Sequence, residues 1–212
     1  MINIYLNVPY ADRKIVKELG ACWDAKLKKW YCPEDNELCS LYDIYKEIKI
    51  IGEDRNYGSN ILYIDMIPKT TYFKNVRSLF SDSDWNLIRH HIYERVNYKC
   101  ECCGKKRMKY LDAHERWEYD EETKTQKLIR IIALCRLCHA ATHYGHSKRT
   151  KNIDKINNHI KKINNYTEEE LKEHIDKSYD IWKNRNKIKW ILDFSILLNS
   201  GFNIKEKYIS NL

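Results

Sequence analysis

The spacing of hydrophobic residues near the N-terminus predicts a small βαβ-like unit. Apolar and polar residues alternate through residues 4–8, which is the period of a half-buried strand. Ile15 and Leu19 then lie one helical turn apart, as expected for a short amphipathic helix. A second strand is expected soon after this helix. We therefore interpret residues 1–47 as a self-contained accessory domain.

The next part of the chain predicts a linker and then a new domain. Residues 48–60 contain glycine, serine and several charges, which is typical of a linker. From residue 61 the pattern is again apolar, and the sequence ILYIDMIP predicts a strand.

Helical periodicity dominates the rest of the chain. A helix is expected from about Asp84, and its apolar stripe consists of Trp85, Ile88, Ile92 and Val96. A later stripe consists of Ile153, Ile156, Ile160 and Ile163. Thr167 followed by Glu170 predicts a capping box at the start of another helix. The pattern as a whole favours an α+β protein.

The composition limits the partners and the compartment. The chain has 38 basic and 30 acidic residues, a net charge of +8, and a surplus of this kind favours polyanions such as nucleic acid. No apolar run reaches the roughly 18 residues that a membrane helix needs. The N-terminus does not resemble a signal peptide, so the cytoplasm is the expected compartment. In a reducing compartment, paired cysteines indicate a metal rather than disulfides.

Two cysteine pairs have the spacing of a metal site. Cys100 and Cys103 are three residues apart, as are Cys135 and Cys138, and 31 residues (104–134) separate the pairs. Four thiolates complete a closed tetrahedral shell, which predicts one structural zinc ion. Three further cysteines lack such pairing and are expected to be small core residues: Cys22, Cys32 and Cys39.

Three histidines suggest a second metal site. His139 and His143 are four residues apart and share a face of a predicted helix. A strand that carries His114 against this face would bring three imidazoles together. Such a set can bind a catalytic metal that keeps positions open for water and phosphate.

This region resembles the HNH endonuclease superfamily, the ββα-metal nucleases. The shared order is C-x-x-C, a strand with a histidine (LDAHE), a second strand and then LC-x-x-CH-x-x-x-H. The resemblance implies that His114, His139 and His143 hold Mg²⁺ or Mn²⁺ against the scissile phosphate. Glu115 stands where the family usually has a histidine base, and no asparagine precedes Cys135 in the usual place. The base is therefore Glu115 or, with the register shifted by one, His114 itself.

The resemblance extends over residues 61–201, which we interpret as a zinc-knuckle ββα domain of the treble-clef type wrapped by helices. Residues 202–212 would form a tail. The N-terminal unit resembles a small family of unknown function that begins YLNVPY and contains GA-x-WD and KKWY. In that unit we expect Trp23, Trp30 and Tyr31 to form the core, or one of them to be an exposed stacking platform.

Basic residues flank the histidines on both sides. We expect six of them to contact phosphates: Lys105, Lys106, Arg107, Lys148, Arg149 and Lys151. The predicted function is metal-dependent hydrolysis of phosphodiester bonds in DNA. The alternatives are a non-catalytic, zinc-stabilised nucleic-acid-binding module and a protein-interaction adaptor. DNA versus RNA, sequence specificity and oligomeric state are left open.

Overall fold

The computed structural model describes residues 3–6, 8, 10–33, 41, 48–107, 111–148, 150, 152–205 and 208. The chain divides into two compact units, Met1–Lys49 with Asp82–His91 and Ile50–Ser81 with Ile92–Leu212. The protein is a mixed α+β protein with two small three-stranded sheets in its described part. No helix among the described residues is long and apolar enough to cross a membrane. The domain boundaries drawn from the sequence stay predictions.

The first unit contains an antiparallel sheet. β1 (Asn3–Leu6) and β2 (Cys22–Asp24) both pair with β3 (Lys29–Pro33), in the order β1-β3-β2. α1 (Arg13–Glu18) follows a 3-10 turn at Tyr10–Asp12. The buried core of this unit consists of Leu6, Val16, Ala21, Cys32 and Leu41.

The short helix of this unit buries one residue rather than an apolar stripe. Val16 is fully buried, whereas Ile15 and Leu19 are exposed. α1 has only six residues, so little more than one turn can contact the sheet. The predicted pair Ile15 and Leu19 therefore lies outside the core.

Cys22, which we expected in a core, is exposed, and so is Trp23, for which we had left a core position and an exposed position open. Trp23 is 51% exposed although its ring packs against Trp30 with centroids 5.5 Å apart. Cys22 is exposed, Cys32 is buried, and Cys39 lies outside the described residues. Both exposed residues are on β2, which lies at the edge of the sheet and has a neighbouring strand on one side only.

The second unit is centred on a long hairpin. β4 (Leu111–Asp120) pairs antiparallel with β5 (Thr125–Cys135), and β6 (Ile191–Asp193) lies parallel to β5 on its other side. Trp117 of β4 contacts Phe194 with ring centroids 5.4 Å apart. Both rings are buried, and they form part of the core of this unit.

Helices precede and follow the hairpin. They are α2 (Val76–Leu79), α3 (Asp82–Arg95), α4 (Arg136–Thr142), α5 (Tyr144–Ser147), α6 (Ile153–Asn164), α7 (Glu168–Arg185) and α8 (Ser195–Leu198). Thr167 Oγ1 accepts from the amide of Glu170 at 3.1 Å, and the Glu170 carboxylate accepts from the amide of Thr167 at 2.7 Å. The predicted capping box is thereby confirmed. α6 buries Ile156 and Ile160 of its predicted stripe.

Residues 61–68 form no strand, and our prediction of one was wrong. Their backbone groups bond to helix side chains instead of a neighbouring strand. The amide of Leu62 donates to Asn164 Oδ1 at 3.3 Å, and Asn164 Nδ2 donates to the Leu62 carbonyl at 2.6 Å. The amide of Ile64 donates to Nε2 of His174 at 3.1 Å. These partners satisfy the backbone without a ladder.

Two buried arginines hold the preceding segment against the hairpin. Arg116 and Arg130 lie opposite each other on β4 and β5 and are only 3% and 2% exposed. Both donate through Nη1 to the carbonyl of Ser59, each at 2.7 Å. Arg116 Nη1 also donates to the Gly58 carbonyl. These carbonyls offset the cost of burying two guanidinium groups.

An ion pair fixes the start of the same segment. Arg95 binds Glu53, and its Nη2 also donates to the carbonyl of Ile131 at 2.6 Å. The amide of Ile131 donates to Glu53 Oε1 at 2.8 Å. Much of the predicted linker, residues 48–60, is therefore bonded to the hairpin. The composition of this segment could not indicate these bonds, because the residues that bind it are distant in sequence.

Gly58 offers a test of how tightly this segment is held. Its φ is +64°, and an added Cβ would lie 2.6 Å from Arg116 Nη1 and 2.6 Å from Tyr63 Oη. We expect Gly58→Ala to lower the free energy of unfolding by about 2–5 kcal/mol. Left-handed strain accounts for about 1–2 kcal/mol and displacement of packed neighbours for about 1–3 kcal/mol.

Gly201→Ala is the matched control for this prediction. Gly201 has φ +85°, but nothing lies within 4 Å of an added Cβ. The free energy of unfolding of this variant should therefore fall only by the contribution of left-handed strain. Chemical denaturation of both variants measures the difference. Equal losses would contradict the steric explanation.

Candidate metal centres

A tight turn carries the first cysteine pair. The amide of Cys100 donates to the carbonyl of Lys105 at 3.0 Å, and the amide of Gly104 donates to the carbonyl of Cys100 at 2.8 Å. Gly104 has φ +69°, a conformation that glycine adopts without a Cβ penalty. The turn brings the side chains at the first and fourth positions of C-x-x-C to the same side.

The second cysteine pair meets the first. The sulfur atoms of four cysteines lie within 4.8 Å of one another: Cys100, Cys103, Cys135 and Cys138. We call this set the four-cysteine cluster. The spacing predicted that these residues come together, and the geometry confirms that they could hold a metal ion. Cys102 is not a member, and its sulfur lies 3.7 Å from the carbonyl of Ile61.

Two of the four thiols, those of Cys100 and Cys138, resist ionisation, whereas hydrogen bonds to these two lower the pKa of the Cys135 thiol. Hydrogen bonding to Cys135 raises the pKa of the Cys100 thiol to about 12, and burial adds to this. Hydrogen bonds to Cys100 and Cys135, together with burial, raise the pKa of Cys138 as well. A bound cation would offset the repulsion between thiolates. The donor set therefore fits a metal that prefers sulfur.

Hydrogen bonds from Glu101 hold the first cysteine pair against β5. Its amide donates to the carbonyl of Ala133 at 2.9 Å, and its Oε2 accepts from the amide of Ala133 at 2.7 Å. Its Oε1 accepts from Arg130 Nη2 at 2.8 Å. Because Glu101 adjoins Cys100 and Ala133 lies two residues before Cys135, these bonds fix the two halves of the cluster relative to each other. The sequence analysis did not assign this role.

A histidine of α6 contacts the four-cysteine cluster from outside. Nε2 of His159 lies 3.1 Å from Sγ of Cys138, which suits an N–H that stabilises a metal-bound thiolate. A cleft of about 230 Å³ beside the cluster is lined by Lys105, Arg107, Cys135, Arg136, Leu137 and His159. Sequence reasoning missed His159, because it follows the cysteines by more than twenty residues and lies beside the apolar stripe of its helix.

Three imidazoles form a second group, which we call the histidine cluster. His114 lies on β4, His139 on α4, and His143 directly follows α4 as its C-cap. The ring of His143 lies 4.8 Å from that of His114 and 4.6 Å from that of His139, centroid to centroid. One nitrogen from each ring falls within 4.8 Å of the others. The expected closeness is observed, while a catalytic role stays a prediction.

The surroundings of His114 favour a bound cation. The side chain is 2% exposed, and neither ring nitrogen has a hydrogen-bond partner among the described residues. Burial lowers its pKa well below the ordinary value, and His143 and His139 lower it further. Burial likewise lowers the pKa of His143 to about 4. Both rings are therefore neutral near pH 7, which is the form that binds metals.

A carboxylate that the sequence analysis did not single out supports the cluster. Asp112 precedes His114 by two residues and lies on the same face of β4. Its Oδ2 lies 3.3 Å from Nδ1 of His139. Metal-binding histidines commonly donate their other N–H to a carboxylate, and this contact leaves Nε2 available. The alternation of the strand, taken with the predicted position of His139, could have indicated Asp112.

Glu115 has different surroundings from the three histidines. Because strand side chains alternate, it leaves β4 on the face opposite His114. Its Oε1 accepts from the amide of Val76, the first residue of α2, at 3.0 Å. Burial raises the pKa of Glu115, although the bond from Val76 and the charge of His139 act in the opposite direction. Its predicted role as a base stays a prediction.

The basic residues that we expected to bind phosphate are described in part. Lys105, Lys106 and Arg107 are exposed beside the first cysteine pair. Lys148 is exposed, with Nζ 5.2 Å from the centroid of the Tyr179 ring. Arg149 and Lys151 lie outside the described residues. Contact with phosphate stays a prediction for all of them.

Comparison with known proteins bears on the N-terminal unit. A family model described as a domain of unknown function (DUF5710) matches residues 3–41. No curated protein and no solved structure matches the chain. Fold and site together define a mixed α+β protein with four cysteines that could hold a metal ion.

We expect loss of one equivalent of bound metal in Cys135→Ser, compared with the unaltered protein. A metal at the four-cysteine cluster contributes to folding directly, so this variant should also unfold more readily. Cys102→Ser changes a cysteine of the same turn that lies outside the cluster, and it should keep the metal. Elemental analysis of gel-filtered protein measures the stoichiometry. Folded protein without metal at this cluster would contradict the prediction.

Proposed function

We propose that the protein is a metal-dependent endonuclease of the HNH type that hydrolyses phosphodiester bonds in DNA. The observation that carries this proposal is the environment of His114. It is buried beside His139 and His143, and its ring nitrogens lack partners among the described residues. An unpaired buried imidazole is unfavourable, and a cation held by the three rings supplies the missing interaction.

Zinc is the metal that we propose for the four-cysteine cluster. Four thiolates fill a tetrahedral shell and leave no position for water or substrate, so this ion would be structural. The bonds from Glu101 to Ala133 support this role, because they hold the two cysteine pairs in a fixed relation.

Mn²⁺ or Mg²⁺ is the cation that we propose for the histidine cluster. Three neutral imidazoles would hold it and leave positions for water and phosphate. When bound, such a cation lowers the pKa of water and offsets charge on the leaving oxygen. Asp112 orients His139, and burial keeps His114 neutral. Because Mg²⁺ prefers oxygen ligands, we expect Mn²⁺ to be the better activator.

Two residues are candidates for the base that takes a proton from the attacking water. Glu115 would take it on Oε2, because Oε1 already accepts from Val76. Burial raises the pKa of this carboxyl, which brings it closer to the range of an effective base. His114 would take the proton on a ring nitrogen that does not bind the cation.

The order of elements supports assignment to the HNH type. The antiparallel strands β4 and β5 lead directly into α4, and the histidines lie on the first strand and at the helix. This is the order of the ββα-metal nucleases that the sequence resembles. The two departures, Glu115 and the absence of asparagine before Cys135, concern the base and its surroundings rather than the metal ligands.

The charge distribution supports DNA as the partner. The chain has a net charge of +8, and exposed cations lie beside both clusters in sequence: Lys105, Lys106, Arg107 and Lys148. Each cation that contacts a phosphate releases counterions, so affinity should fall steeply with salt. Salt-independent or absent binding would favour a protein-interaction adaptor.

A non-catalytic, zinc-stabilised nucleic-acid-binding module is the alternative function. The bond from Val76 to Glu115 favours it, because this bond gives the carboxylate a structural use that needs no chemistry. Under this alternative the basic residues would bind DNA without cleaving it. Cleavage assays distinguish the two functions.

We expect His114→Ala and His139→Ala each to abolish DNA cleavage in Mn²⁺ while the metal of the four-cysteine cluster is retained. Without these rings nothing holds the second cation, whereas the thiolates are unchanged. His146→Ala alters an exposed histidine of α5 and should cleave like the unaltered protein. The proposal fails if purified protein shows no metal-dependent cleavage, or if cleavage survives both substitutions.

Glu115→Gln identifies the base in the same assay. The amide keeps an acceptor for the Val76 amide but cannot take a proton. A loss of rate of about 100-fold or more, with metal retained, supports Glu115 as the base. A small change assigns that role to His114.

A further inference from the structure

Two neighbouring aromatic side chains project into solvent from the loop before α2. Phe73 is 82% exposed, more than any other large hydrophobic side chain among the described residues, and Tyr72 is 54% exposed. Their rings meet edge to face with centroids 5.0 Å apart. Single exposed hydrophobic residues are common, but a contiguous pair is typical of an interaction site. We call Tyr72 and Phe73 the aromatic tip.

Hydrogen bonds fix the backbone beneath the aromatic tip. Ser78 Oγ donates to the carbonyl of Phe73 at 2.8 Å. The amide of Lys74 donates to the carbonyl of Thr71 at 2.9 Å. Thr71 is itself buried, and its Oγ1 donates to Gln126 Oε1 at 2.8 Å. Because this turn is already ordered, its rings can bind a partner with little loss of conformational entropy.

The sequence on either side of the aromatic tip is basic. Residues 66–80 include Lys69, Lys74 and Arg77 and no acidic residue. Lys69 and Arg77 are exposed. A partner that suits this surface therefore combines negative charge with flat apolar rings, and nucleic acid offers both.

The geometry points to nucleobases as the ligand of the aromatic tip. We infer that the two rings stack on bases, in a single strand or at an unstacked step of a duplex, while Lys69 and Arg77 contact the neighbouring phosphates. Stacking tolerates any sequence because every base has a π face. A stable protein partner would need about 1,200–2,000 Å² of interface, whereas this patch is two rings wide.

The aromatic tip is connected to β4, the strand that carries His114. Val76 lies three residues after Phe73, at most about 11 Å of extended chain, and its amide binds Glu115, the neighbour of His114 in β4. A nucleic acid bound by the tip would thus be held by a segment that is anchored on β4, on the face opposite the histidine cluster. This part of the inference rests on the proposed function, whereas base stacking does not.

Binding of fluorescent oligonucleotides by the metal-loaded full chain, without added Mn²⁺ or Mg²⁺, tests the inference. The probes are a single strand that carries 2-aminopurine, the matching duplex, and a duplex with one mismatch. We expect Tyr72→Ala/Phe73→Ala to weaken binding to the single strand or the mismatched duplex by about tenfold to 100-fold. The fluorescence change that reports stacking should disappear as well.

Two variants serve as controls. The exchange Tyr72→Phe/Phe73→Tyr keeps both rings and should bind like the unaltered protein. Ile191→Ala removes a side chain that is also exposed, far from the tip in sequence, and should have no effect on binding.

Lys69→Ala/Arg77→Ala tests the proposed phosphate contacts, and it should reduce the salt dependence of binding.

The outcomes separate this inference from the proposed function. Unchanged affinity in Tyr72→Ala/Phe73→Ala overturns it, as does a failure of the unaltered protein to bind any probe. Loss of binding to anionic lipid vesicles alone would assign the tip to a membrane surface and overturn it too. If the tip is needed for binding but no cleavage occurs in Mn²⁺, base stacking stands and the endonuclease proposal fails.

Discussion

The positions of both clusters depend on one helix of seven residues, α4. It begins directly after Cys135, contains Cys138 and His139, and ends before His143. A helix of this length is unstable by itself, so tertiary interactions must hold it in place. A metal at the four-cysteine cluster would do so by tying its first turn to Cys100. With such a metal bound, the histidine cluster would depend on the cysteines for its geometry although it shares no ligand with them.

The second constraint is electrostatic. Arg116 and Arg130 bring two like charges opposite each other in the hairpin, an arrangement that is unfavourable by itself. The carbonyl of Ser59 accepts from both, and Glu101 binds Arg130. Glu101 also joins the first cysteine pair to β5. The buried charges therefore link the segment that contains Ser59, the hairpin and the four-cysteine cluster into one network, so disturbing one part affects the others.

Local patterns predicted those features that depend on nearby residues. The C-x-x-C spacing indicated the four-cysteine cluster, and Thr167 indicated the start of α7, because a turn or a cap forms within a few residues. The strand expected at residues 61–68 was wrong because Asn164 and His174 supply its hydrogen bonds from more than a hundred residues away. His159 escaped notice for a related reason, because its partner Cys138 lies 21 residues before it. Such contacts are set by tertiary packing, which spacing along the chain does not encode.

Side chains on alternate faces of β4 relate the proposed cleavage at the histidine cluster to the proposed base binding at the aromatic tip. One face of the strand carries Asp112 and His114, and the opposite face carries Glu115, whose carboxylate holds the start of α2. The aromatic tip lies just before that helix. A shift of the strand by one residue would exchange these faces, and both the histidine cluster and the anchor of the tip would be lost together. The register of β4 against β5 thus fixes both the proposed site of phosphate cleavage and the anchor of the proposed base-binding tip.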